Sequence, residues 1–164
     1  MSGESNYVPL DWEKGVEAFG GDEEMYRGMI FKFDEFTFDE ALEKIDNAIK
    51  FANWTTVTIQ AEAISGACSY LGAQKMEALA FNLKQAGKSH DERVVKNHYY
   101  EFLSEARALK AYVSKLKGTK FDSSTIDGYL KPFTDGGTRF EGFKATKETN
   151  SVGCCAGGVT CNIF

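Results

Sequence analysis

A chain of 164 residues, 43% of them hydrophobic, is long enough for one packed domain plus a tail. Its formal charge of −5 is not that of a nucleic-acid binder, and no apolar run has the length needed to cross a bilayer. Three of the four cysteines fall in the last eleven residues, which is no disulfide framework and suits a reducing cytosol.

The opening MSGESNYVPL has neither a basic n-region nor an apolar h-region, so it does not read as a signal peptide. Ser2 in place of glycine argues against N-myristoylation. A short helical turn is expected around Asp11–Ala18. After Gly20-Gly21, Asp22 is placed to cap a first helix with Tyr26, Met29, Ile30 and Phe33 on its apolar face. Thr37 is placed to cap a second, striped by Phe38, Leu42, Ile45 and Ile49. Asn53 opens a third, with Val57, Ala61, Ile64, Cys68 and Leu71 inward. Met76, Leu79, Ala80 and Leu83 mark a fourth that ends near Gly87. Asp91 opens a fifth, with Val95, Tyr99, Phe102, Ala106, Leu109, Val113 and Leu116 inward and Gly118 as its stop. One apolar stripe per helix and short linkers predict an all-α fold. The expected architecture is an antiparallel four-helix bundle over 11–118, with a short N-terminal helix and a flexible tail over 119–164. Residues 118–164 hold eight of the sixteen glycines and no long helical stripe, although aromatics such as Phe121 and Tyr129 are suited to folding back on the bundle.

The third helix carries the sequence AEAISGACSYLGA at 61–73. It resembles the active helix of histidine phosphotransfer (HPt) domains, whose pattern is A-H-x-L-K-G-x-x-x-x-L-G-A. Ala61, Ile64, Gly66, Leu71, Gly72 and Ala73 fit, whereas Glu62 stands at the histidine position and Ser65 at the lysine position. The likeness extends over 11–117, through the GGDEE turn at 20–24, the run at 41–67 and the segment GAQKMEALAFNLKQAG at 72–87. The resemblance implies a phosphorelay-type signalling module that binds receiver or histidine-kinase-like domains. Glu62 has no ring nitrogen to accept a phosphoryl group, so a binding role without phosphotransfer, enzymatic activity or a cofactor is expected.

Helical spacing puts Thr55, Thr58, Glu62, Ser65 and Ser69 on the polar face of this helix, with Glu62 exposed. The expected docking surface is Ile59, Glu62, Ala63, Ser65, Gly66 and Ser69, where Gly66 leaves the surface open. Glu62 is read either as a loose imitation of phosphohistidine or as an ordinary solvated helix residue. His90 and His98 are the alternative phosphoacceptors of an active phosphotransfer protein. No EF-hand spacing, Walker motif or dinucleotide glycine motif occurs, the acidic residues of the first helices read as a solvated face, and no metal site is expected. Trp12 and Trp54 read as core or rim anchors.

The chain finishes Cys161-Asn162-Ile163-Phe164, which fits a C-a-a-X prenylation box, with Cys154 and Cys155 upstream as S-palmitoylation candidates. Two lipids give stable anchoring where one is marginal. The expected location is the cytosolic face of a eukaryotic membrane, and a membrane-anchored adaptor unrelated to phosphorelay is the remaining alternative.

Overall fold

The computed structural model describes residues 7–134, all helices and connections, with no strand among them. Helix α1 spans Trp12–Ala18, α2 Glu23–Lys32, α3 Asp39–Lys50, α4 Trp54–Leu71, α5 Gln74–Ser89, α6 Glu92–Lys117 and α7 Ser124–Thr134. The capping signals at the expected starts are used. Asp11 Oδ1 accepts from Lys14 N (3.2 Å), Asp22 Oδ1 from Met25 N (2.9 Å), Asn53 Oδ1 from Thr56 N (3.1 Å), and Asp91 Oδ1 from both Arg93 N and Val94 N.

Thr37 is the exception. It caps nothing and lies exposed in a π-helical stretch, Phe33–Phe38, that joins α2 to α3 without a break. The apolar stripe jumps five residues there, from Phe33 to Phe38. In an α-helix, residues five apart lie about 140° apart around the axis. The wider i→i+5 turn absorbs the extra residue and keeps both rings inward, stacked at 5.1 Å between centroids. Met29, expected inward on α2, is instead exposed, since Tyr26 and Ile30 supply the buried face.

One core runs through all the helices except the short α1, which contributes partly buried Trp12 and Val16. It is built around fully buried Tyr26, Phe38, Ile45, Ile64, Leu83 and Phe102. Three carboxylates are buried with it rather than solvated, each with a counter-charge or donor. Asp34 takes Lys110 (2.8 Å) and Lys117 (2.9 Å), so the π stretch is tied to the far half of α6. Asp46 accepts from Tyr99 Oη (3.2 Å) and pairs with Lys50. Glu105 pairs with Lys75 (2.6 Å) and accepts from Tyr7 Oη.

The helix expected to end near Gly87 continues to Ser89, with His90 in the left-handed conformation (φ 55°) as its C-terminal cap. Gly87 is needed for spacing instead. A Cβ there would lie 2.5 Å from Thr58 Oγ1 and 3.2 Å from the Trp54 carbonyl oxygen, so α4 and α5 meet closely at that level.

Beyond Gly118, where an extended tail was expected, residues 124–134 form α7 and pack on α6. Ile126 is 2% exposed, Tyr129 and Leu130 lie against the core, and Arg107 reaches Asp127 at 3.2 Å. Four apolar positions in a short segment between glycines carry too little periodicity to reveal this helix, and contact with α6 supplies its burial. Cys154, Cys155 and Cys161 lie outside the described residues.

Candidate docking face on helices α4 and α5

Helix α4 is set by its inward stripe. Val57, Ala61, Ile64 and Cys68 have no exposed surface and Leu71 has little. Burial pushes the Cys68 thiol up to about 12, which leaves it an inert core residue. The end of α4 is pinned three ways. Gly72 turns the chain with φ 71°, its carbonyl accepts from Asp11 N (2.9 Å), and the Leu71 carbonyl accepts from buried Tyr26 Oη (2.6 Å). A Cβ on Gly72 would stand 2.7 Å from the Asp11 carbonyl oxygen, so both its conformation and its space call for glycine.

With the inward stripe fixed, the opposite side of α4 faces out. Ile59 is 56% exposed and Tyr70 71%, and Glu62, Ala63, Gly66 and Ser69 are exposed between them. Nothing lies within 4 Å of the position a Gly66 Cβ would take. Ser65 is half-buried and turned toward α5, where its hydroxyl donates to the Glu77 carbonyl at 3.3 Å. Thr58, expected on the open polar face, is likewise half-buried and donates to the Trp54 carbonyl at 2.9 Å. The face is therefore a shared surface of α4 and α5. Half-exposed Phe81 stands on the α5 side, beside a shallow groove of about 290 Å³ lined by Ser65, Gln74, Glu77, Ala78, Phe81 and Asn82.

Glu62 is not an isolated charge. Lys84 Nζ lies 2.6 Å from its Oε1. The hydrogen bond and charge of Lys84, with a contribution from Lys88, hold the Glu62 carboxyl below its ordinary range. A cation is thus brought to Glu62 from the neighbouring helix. Glu62 is therefore a carboxylate paired with a lysine, its negative charge partly offset.

Of the two histidines, His90 sits exposed at the end of α5, and His98 is half-buried on α6 with Nδ1 3.8 Å from Glu101 and no hydrogen-bond partner. No cluster of three or more His, Cys, Asp or Glu suited to a metal ion occurs among the described residues, and no described helix is long and apolar enough to cross a membrane.

Sequence reasoning missed Lys84, Phe81 and Tyr70. Tyr70 lay within the motif, off the inward stripe, and its exposure follows from that spacing. Lys84 and Phe81 belong to this face only because α5 packs on α4, and their spacing on α5 does not specify which neighbour they meet. Comparison of the chain with family models, curated proteins and solved structures found no match in any of the three.

Proposed function

We propose that this chain is a signalling module resembling an HPt domain, in which α2–α3, α4, α5 and α6 form an antiparallel four-helix bundle. It docks receiver or histidine-kinase-like domains through the α4–α5 face without transferring phosphate. The observation that carries the reading is the exposed apolar rim of Ile59, Tyr70 and Phe81 around the open surface at Gly66, with Glu62 where a phosphoacceptor would stand. Such a rim around a small polar centre is the composition of a protein interface. The carboxylate of Glu62 would form only a labile acyl phosphate on attack, and it is already bound to Lys84.

Receiver phosphotransfer assays and binding titrations test this together. The chain should bind at least one receiver domain and take up no phosphate from it. Gly66→Arg should abolish binding, because a long charged side chain holds the partner off a surface that is open in the unsubstituted protein. Glu62→His with Ser65→Lys should restore at least partial phosphoryl acceptance. Full binding by Gly66→Arg, or acid-labile phosphate on His90 or His98, would remove this reading.

We also propose that the module is held at the cytosolic face of a membrane by prenylation of Cys161 and palmitoylation of Cys154 and Cys155. Cys161→Ser should move the full chain to the soluble fraction. Cys154→Ser with Cys155→Ser should weaken membrane retention while prenylation persists. Unchanged membrane association of the Cys161→Ser protein would contradict the anchor.

A further inference from the structure

We propose that Lys84 is the polar anchor of the α4–α5 face, sharing its ammonium between Glu62 and a carboxylate of the docked protein partner. The inference rests on the docking reading above and specifies the partner's chemistry.

The geometry is that of a pre-positioned cation. The Lys84 side chain is 16% exposed, against 63% for Glu62, so most of it is covered while its ammonium reaches the exposed carboxylate of Glu62. Glu62 Oε1 holds the ammonium at 2.6 Å, and the Phe81 ring lies 5.9 Å from it. A lysine held in this way loses little rotamer freedom when a partner arrives. An ammonium has three donors and no acceptor capacity, and Glu62 takes one. The donors that remain point the partner's chemistry toward an acceptor, and a charged acceptor gives the stronger bond.

Charge balance favours the same partner. The chain as a whole carries −5. On this face Glu62 and Glu77 stand with Lys84 and Lys88, so its charges cancel while the chain as a whole is net negative. A partner carboxylate approaching Gly66 would meet Glu62 head-on if Lys84 were absent. With Lys84 between them, the two carboxylates share one cation. Closure of Ile59, Tyr70 and Phe81 around the contact excludes water and strengthens the interaction. Glu62 then acts as a positioning residue for Lys84. The occupant that fits is a protein surface bearing a carboxylate inside an apolar collar.

The test uses the full chain and purified receiver domains, each beside a variant with its phosphoacceptor aspartate changed to asparagine. Lys84→Met keeps the aliphatic stem and removes the charge, and it should weaken binding roughly tenfold or more while flattening the salt dependence. Lys84→Arg should bind within a few-fold of the unsubstituted chain. Glu62→Gln keeps an oxygen that accepts from Lys84 but removes the competing negative charge, and it should leave binding equal or tighter. Against the asparagine receivers, Lys84→Met should have little further effect. A fold control comes from the unchanged far-ultraviolet circular dichroism of each variant, and in Lys84→Met the Glu62 carboxyl should titrate closer to its ordinary value of 4.5. Binding by Lys84→Met equal to the unsubstituted chain, with Gly66→Arg still abolishing it, overturns this inference and leaves docking intact. Binding that survives Gly66→Arg as well, or that is absent from the unsubstituted chain, overturns the docking reading itself.

Discussion

Tyr26 shows how much a single side chain organises here. Its ring has no exposed surface, meets Trp12 edge-on at 4.9 Å and Phe19 at 5.6 Å, and its hydroxyl holds the end of α4. Burial raises its pKa to about 12, with the charges of Tyr112 and Asp11 adding to the effect. The ring reaches this place because Gly15 has no side chain. A Cβ on Gly15 would fall 2.2 Å from Tyr26 Cζ, against the rigid ring rather than a flexible tip. Gly15→Ala should therefore force α1 away from α2 and cost about 1–3 kcal/mol. Urea unfolding measures this, and an unchanged midpoint would mean that α1 contributes nothing to the packed core.

At the scale of elements, the π stretch and α7 are the two features that alter the outline drawn from periodicity. The π stretch carries one residue more than an α-helix would need between Phe33 and Phe38. Deleting exposed Phe36 should restore a four-residue interval between the two buried rings and be tolerated. Deleting Glu43 in α3 should rotate Ile45 and Ile49 out of the core by about 100° each and unfold the protein. Comparing the two deletions by thermal melting decides the point, and equal damage from both would mean that the wide turn is required in itself. Within this stretch Asp34 is clamped by Lys110 and Lys117. Hydrogen bonds to Asp34 and Glu35 raise Lys117 above its ordinary pKa against the opposing pull of desolvation, the largest single influence on it. For α7, Ile126→Ala should cost about 2–5 kcal/mol. A chain ending at residue 118 should be less stable than one ending at 134, since it uncovers the surface of α6 that Ile126 occupies. Equal urea midpoints for the two would show that α7 is a passive addition.

The whole molecule is built to keep several groups neutral. Tyr99 is raised well above its ordinary 10.0 by burial first and then by the charge and hydrogen bond of Asp46. Tyr7 is raised by burial and by Glu105, Tyr26 reaches about 12, and Cys68 rises from 9.0 to about 12. Each folded-state pKa lies above the unfolded value. The stability these groups contribute is fully present below pH 9 and is lost as pH rises through the folded values. Cooperative unfolding should therefore set in between about pH 10 and pH 12, with the tyrosinate absorbance of buried Tyr26 and Tyr99 appearing together with loss of helix. Tyr99→Phe should move that transition to higher pH. Absorbance from Tyr26 and Tyr99, read as the difference from the Tyr26→Phe and Tyr99→Phe variants, that appears well before the helix is lost would mean that these hydroxyls are not held by the fold.

Much of this protein could be read along the chain because helices write local signals. Asp11, Asp22, Asn53 and Asp91 announce helix starts by side chains that bond the next turn, the stripe of α4 names its buried residues by spacing alone, and that of α6 misses only Leu103 and Glu105 while including half-buried Leu116. The exposure of Ile59, Glu62, Ala63, Gly66 and Ser69 followed from the same spacing. Contacts between distant segments left no such signal. The pairing of Lys84 with Glu62, the turning of Ser65 toward Glu77, the burial of Asp34, Asp46 and Glu105, and the docking of α7 on α6 each depend on which helix lies beside which. The sequence by itself determined the helices and their inward faces, because those rest on interactions within a few residues. Only the tertiary structure decided which charges meet and where the chain's packing continues, because burial and pairing across a dozen residues or more are properties of neighbouring helices and not of any one of them.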